Sequence, residues 1–238
     1  MQIDLNADLG EGCGDDAALL PYVSSCNIAC GGHVGDDISM HTTLEAAKQA
    51  GVAAGAHPSY PDKTGFGRRA MRLSYSSLLN SLSEQLDALQ ARAMEVAFPL
   101  THLKPHGALY HHARADAQTA RCIVESLSRC DLELAIVGPE DGELMLAAHA
   151  AGLIYRKEGF VDRRYAAVGR LVSRDEPNAV LASPGECAEQ ALALASDRSR
   201  TIDTLCLHGD TEHAIQIAAR VHRILTESGF SIGAPAHA

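Results

Sequence analysis

The strongest constraint on the fold of this 238-residue chain is a regular alternation in which short apolar runs of strand length are separated by segments of helical spacing. The strand-like runs are IDLNADL (3–9), CNIACGGH (26–33), GVAAGAH (51–57), PLTHLKPH (99–106), LELAIVG (132–138), GLIYRKEGF (152–160) and TIDTLCLHGD (201–210). Between them, Met40, Leu44 and Ala47 mark a helix near 37–50, and Leu78, Leu82, Leu86, Leu89 and Val96 form the apolar stripe of a long one. Ser74 is placed to cap that long helix. Further helices are expected near 114–129, through Leu144 and Ala148, from Pro184 through Ala188, Leu192 and Ala195, and up to about Ser228. Only the sixth strand lacks a helix directly after it, because the polar segment 162–183 reads as irregular. Such an order builds a parallel α/β structure, as one domain over 1–230 with a frayed tail at 231–238. An incomplete β/α barrel and an open doubly wound sheet both satisfy it. Polar residues after nearly every strand favour the barrel, since a ring of strand ends surrounds one central site.

Composition narrows the partners. The formal net charge of -10, with no clustered Lys and Arg, argues against nucleic acid. No apolar stretch approaches the ~20 residues that span a bilayer, so no membrane association is expected. The seven cysteines form no C-x-x-C pair, and Cys26 and Cys30 share one strand face as buried thiols rather than zinc ligands. A reduced, cytoplasmic setting is expected.

The polar groups fall at strand ends. The first run ends in Asn6, Asp8, Gly10 and Glu11, the second in His33 with Asp36 beyond, and the third in His57. In the fourth, His102, Lys104 and His106 alternate, so one face of an extended chain carries all three. Glu158, Asp162, Arg163 and Tyr165 follow the sixth, and His208 and Asp210 end the seventh. Burying such groups costs free energy unless they are paired, so six strand ends delivering them point to a functional site. Simpler roles exist for some. Asp8 could cap the next turn, Asp37 is the better candidate to cap the helix after GGHVGDD, and His57 could be a satisfied loop histidine. His111 and His112 are expected to face solvent, and His41, His149, His213, His222 and His237 to lie on helix surfaces or the tail.

Generic motifs are missing. GEGCG after the first strand is flanked by Asp8, Glu11, Asp15 and Asp16, which would repel phosphate. Neither a GxxxxGK[ST] loop nor a GxSxG elbow occurs. Cys30 could serve as a thiol nucleophile near His33, but its strand position favours a buried thiol. Acid/base or metal chemistry by His, Asp and Lys remains.

DLNADLGEG, NIACGGHVGD, GAHPSYPD, GFGRR, HLKPHGALY, EGFVDRRY and LCLHGDTEHA, in this order, resemble the LamB/YcsF family over about residues 2–228. The resemblance implies an irregular seven-stranded parallel β/α barrel of the glycoside hydrolase/deacetylase superfamily. It also implies the role of the A subunit in an ATP-dependent 5-oxoprolinase. There 5-oxo-L-proline, ATP and water give L-glutamate, ADP and phosphate, with B and C subunits as partners. A homo-oligomer is compatible with that role. Such a site needs a base for water, an acid for the ring nitrogen and a cation for the substrate carboxylate. The corresponding candidates are Asp8 or His57 as base, His106 or His208 as acid, and Lys104 or Arg163 for the carboxylate. Asn6, Asn27 and Tyr165 are candidates to orient substrate, with Glu11, His33 and Asp210 beside it. The related deacetylases hold a metal through one Asp and two His, which makes Asp8, His33 and His57 the corresponding candidates for a divalent ion. Two other functions fit the residues: a stand-alone metal-dependent deacetylase or amidase, and a non-catalytic subunit that presents substrate.

Overall fold

The computed structural model describes residues 1–166, 170–174 and 176–235. Seven parallel strands form its centre: β1 (Gln2–Leu9), β2 (Ser25–Ala29), β3 (Ala53–His57), β4 (Leu100–Leu103), β5 (Ala135–Gly138), β6 (Tyr155–Phe160) and β7 (Thr204–His208). Each pairs with the next, and β7 pairs with β1, so the sheet closes into the expected barrel. Around it lie α1 (Asp16–Leu19), α2 (Asp37–Ala50), α3 (Tyr75–Glu95), α4 (Gly107–Ala115), α5 (Ala117–Arg129), α6 (Glu143–Ala150), α7 (Pro184–Ser196) and α8 (Ala214–Glu227). Among the described residues no helix is long and apolar enough to cross a membrane.

Alternation along β1 accounts for the two faces of the barrel wall. Ile3, Leu5, Ala7 and Leu9 join the buried cluster that includes Leu44, Leu82, Leu86 and Leu225 from the helices. Each fully buried leucine there contributes about 1.5–3 kcal/mol. Asp4, Asn6 and Asp8 bond across the interior instead. The Asp4 carboxylate accepts from the hydroxyls of Ser24 at 2.6 Å, Ser25 at 2.8 Å and Thr204 at 2.6 Å. One level up, Asn6 Nδ2 donates to Thr204 Oγ1 at 2.7 Å and Glu158 Oε1 at 3.2 Å, and Asn27 Nδ2 donates to Asn6 Oδ1 at 2.8 Å. Gly55 leaves room for this layer, because a Cβ there would sit 2.3 Å from His102 Nε2. The barrel is therefore packed with hydrogen-bonded polar side chains, and the site forms on top of them.

Several expected boundaries shift. In place of one helix over 114–129 there are two, α4 starting directly after the fourth strand and α5. Asp116 separates them, its extended backbone ending α4 while its carboxylate accepts the Thr119 N–H at 2.7 Å to cap α5. Asp36, not Asp37, caps α2, in a reciprocal pair with Ser39, and Asp37 is the first helical residue. Ser74 caps α3 as expected. The second strand stops at Ala29, where Gly31 N–H turns back to the Val34 carbonyl. The segment after β6 is not wholly irregular: antiparallel bridges join Arg163 to Val180 and Tyr165 to Leu171. The tail is not frayed from residue 231, because β8 (Ser231–Ile232) pairs with Gln2 and Ile3 at the start of β1. His237 lies outside the described residues.

Candidate active site

The carboxyl ends of the strands surround a cavity of about 430 Å³. Its lining includes Asp8, Glu11, His57, Lys104, His106, Arg163 and His208 from the residues expected at the site, along with Arg68, His111, Phe160 and Arg174.

Lys104 Nζ has no donor left for a ligand. It lies 2.9 Å from each of Asp8 Oδ1, Glu158 Oε1 and Cys206 Sγ, and the residue is 2% exposed. Burial opposes its charge, but Asp8 and Glu158 beside it hold the ammonium well above the ordinary lysine range. Asp8 Oδ1 also accepts from Asn27 Nδ2 at 2.8 Å, which leaves Oδ2 facing His57 Nε2 at 3.3 Å. Burial would raise the Asp8 carboxyl, yet His57 and Lys104 hold it well below the usual carboxylate range. Asp8 caps nothing, since the Gly10 N–H goes to Asp16 at 2.7 Å.

The histidine tautomers follow from carbonyl partners, which can only accept. His57 Nδ1 donates to the Lys104 carbonyl at 2.7 Å, and His106 Nε2 donates to the Phe66 carbonyl at 2.9 Å. Each ring then presents its other nitrogen to the other, His57 Nε2 lying 3.0 Å from His106 Nδ1. Glu11 Oε1 stands 3.3 Å from His106 Nδ1 and 3.7 Å from His57 Nε2. Two nitrogen lone pairs so close, beside two carboxylates, repel unless a proton or a cation joins them. These ligand atoms of Asp8, Glu11, His57 and His106 lie within 4.8 Å of one another. His33 stands behind this group, its Nε2 3.0 Å from Glu11 Oε1 and its ring stacked on His106 at 3.7 Å. One converging set is thus Asp8, Glu11, His57 and His106, and a second is Asp8, Cys206 and His208; of the expected Asp8, His33 and His57, the first holds Asp8 and His57.

Across the cavity, His208 Nδ1 bonds to the Asp162 carboxylate at 2.9 Å. Asp162 is fully buried and also accepts from the His208 backbone N–H at 2.9 Å and from Thr211 Oγ1 at 2.8 Å. Burial would raise its carboxyl, but His208 and these donors keep it below the usual range. With Nδ1 engaged, His208 Nε2 is the nitrogen nearer Asp8 Oδ2, at 3.9 Å.

Other expected residues sit apart from the cavity. Asn6 and Asn27 lie in the layer beneath it, where Asn27 Oδ1 accepts from His102 Nε2 at 2.8 Å. The Tyr165 hydroxyl accepts the Phe160 N–H at 2.8 Å and lines a smaller neighbouring hollow. Asp210 pairs with Arg68 at 2.5 Å and Arg174 at 3.3 Å. Cys30 is buried and its thiol pushed up to about 12 by burial, which removes it as a nucleophile. His111 is exposed, as expected, at the lining of the cavity, whereas His112 is half-buried and its Nδ1 meets the Tyr60 hydroxyl at 2.7 Å. Sequence reasoning counted Glu158 and Asp162 among the strand-end polar groups without giving either a role, and did not single out Arg68 or Arg174. GFGRR and EGFVDRRY carry three of them, and Arg174 lies in the segment read as irregular.

Residues 3–238 match the LamB/YcsF family. The chain belongs to that family. This LamB/YcsF chain is 45% identical to the 5-oxoprolinase A subunit of Rhodopseudomonas palustris, with 98% of each covered. It is 42% identical to the 5-oxoprolinase A subunit of Methylococcus capsulatus, over 98% of this chain and 95% of that one. Among solved structures it resembles the lactam utilization protein of Thermus thermophilus, at 36% identity and a TM-score of 0.90 over 99% and 100% of the two chains. A family 4 carbohydrate esterase of Streptomyces lividans shares the fold, at 13% identity and a TM-score of 0.54 over 99% and 93%.

Proposed function

We propose that this chain hydrolyses the cyclic amide of 5-oxo-L-proline to L-glutamate as the A subunit of an ATP-dependent 5-oxoprolinase. The names and full-length likeness of its relatives support the substrate. The observation that carries the chemistry is the His208–Asp162 pair, which faces the Asp8, Glu11, His57 and His106 cluster across one cavity. Once the ATP chemistry of the partner subunits has activated the lactam carbonyl, His208 Nε2 takes a proton from water as its oxygen attacks that carbon. As the C–N bond breaks, the same nitrogen returns the proton to the ring nitrogen. Asp162 fixes the tautomer this requires and stabilises the imidazolium between the two transfers. Lys104 and Asn27 hold Asp8 in place, and the arginines at the rim take the substrate carboxylate, the role for which Lys104 has no free donor.

The four converging atoms fit a divalent transition metal, since imidazole nitrogens and carboxylate oxygens form a mixed donor set suited to one. Asp8, Glu11, His57 and His106 would hold it, and the ion would supply polarisation of the lactam carbonyl. ATP chemistry falls to the B and C subunits, because this chain carries no phosphate-cradling loop. The compartment on this reading is the cytoplasm, where its free thiols stay reduced.

Reconstitution tests the proposal. Glutamate release from 5-oxo-L-proline should require ATP, the B and C subunits, and this chain together. Unchanged release when this chain is omitted would sink it.

A further inference from the structure

The acid/base and carboxylate-binding roles leave one part of the cavity lining unused. Tyr110, Phe160 and Leu171 line it beside the charged groups, and with Cys206 they form a small apolar cluster separate from the main core. Phe160 joins this patch to the reacting groups. Its ring lies parallel to the His208 imidazole, 9° apart in plane and 5.7 Å between centroids, and makes a T-shaped contact with Tyr110 at 5.7 Å. Lys104 Nζ is 5.6 Å from the centre of the same ring. The backbone holds Phe160 in place, since its N–H donates to the Tyr165 hydroxyl at 2.8 Å and its carbonyl accepts from Gln190 Nε2 at 2.8 Å. Leu171 reaches the patch from the segment after β6, where a bridge pairs it with Tyr165. Tyr165 thus ties both apolar residues, and the wall they make is fixed.

A fixed apolar wall beside a catalytic imidazole suits saturated carbon, each methylene buried there strengthening binding about fourfold. A lactam carbon within reach of His208 has its ring carbons beside Phe160, because the imidazole and the phenyl ring are parallel neighbours. The geometry points to Phe160 and Leu171 as the residues that select the size of the lactam ring. Their wall receives the two methylenes of a five-membered lactam and turns away larger rings. This inference rests on the lactam-hydrolase proposal and goes beyond it by assigning the choice of substrate to two side chains. What lies past the wall explains how the choice can be relaxed. A neighbouring hollow of about 160 Å³ shares Tyr110, Phe160 and Leu171 with the cavity, so these side chains stand between the two spaces. Trimming either Phe160 or Leu171 opens the cavity into that hollow and makes room for a further methylene.

The test uses the complete system, with ATP and the B and C subunits, and two substrates. These are 5-oxo-L-proline and its six-membered homologue, 6-oxopiperidine-2-carboxylate, read as release of glutamate and of 2-aminoadipate. The parent should favour the five-membered ring roughly ten- to 200-fold in kcat/KM, the range that one methylene commands in an apolar pocket. Leu171→Ala and Phe160→Leu should each shrink that ratio by about tenfold. The partners and ATP are the same in every assay, so a shift in the ratio arises in this chain. A general loss of folding or activity would lower both rates alike and leave the ratio where it was. A ratio that stays within threefold of the parent's would remove the substituted residue from the assignment. A parent that accepts both rings equally would overturn the assignment as a whole. Either result leaves the lactam-hydrolase proposal standing, whereas glutamate release that continues unchanged without this chain would defeat both.

Discussion

Asp162 and His208 are 46 residues apart in sequence and 2.9 Å apart in space, and the proposed proton transfer depends on that contact. Asp162→Asn keeps the volume but loses the carboxylate that orients the imidazole and stabilises its charge. Glutamate release should fall on the order of 10²–10⁴-fold, with the melting temperature near that of the parent. A variant within threefold of the parent rate (about 0.65 kcal/mol) would remove His208 from the mechanism. Lys104 gives the complementary case. Lys104→Met strands the Asp8 and Glu158 carboxylates inside the barrel and should destabilise the chain by about 3–5 kcal/mol. Adding Glu158→Gln should restore part of that loss in denaturant titrations. No recovery would mean that the lysine acts by packing alone. The alternation of His102, Lys104 and His106 marked their common face, but the three differ in role. The fold shows Lys104 surrounded by acceptors, His106 at the cavity and His102 beneath it.

At the level of elements, the strand and helix order was legible because apolar spacing differs so plainly between the two. The break at Asp116 was not, because short helices with a shared capping residue present nearly continuous helical spacing. The helix expected near 114–129 also began too late: Gly107 opens α4 with φ of 55°. That glycine is required where it stands, since a Cβ there would lie 2.6 Å from the Gly67 carbonyl oxygen. Gly107→Ala must move either α4 or the 62–68 loop, and both line or support the cavity. The expected cost is about 1 kcal/mol or more, read as a lower denaturation midpoint, with a loss of glutamate release larger than the remaining folded fraction explains. Full activity at native stability would show that the two segments are free to separate. Arg68, in that loop, and Arg174, between Leu171 and Val180 in the segment after β6, meet only through tertiary folding, so no local spacing could pair them with Asp210.

Across the whole molecule, the barrel gathers four ligand atoms from three places in the chain: Asp8 and Glu11 at the end of β1, His57 from β3, and His106 beyond β4. A cation held there would tie these segments together in the folded chain and find no such site in the unfolded one, so binding must raise stability. At a free metal concentration about 100 times its dissociation constant the gain is roughly 2.7 kcal/mol, which for a chain of this size shifts melting by roughly 5–10 °C. The measurement compares melting of the full chain after chelation with melting after addition of zinc, manganese or nickel, alongside the metal content of the protein as purified. His57→Ala and Glu11→Ala should each remove most of the shift while changing the melting of the chelated protein far less. His33→Ala should retain more of it, because His33 supplies none of the four converging atoms and touches the group through Glu11 and the His106 ring. Identical melting with and without every metal tried, and no metal in the purified chain, would assign the convergence to a shared proton between His57 and His106. The lactam chemistry would then rest on His208 and the protein's own hydrogen-bond donors.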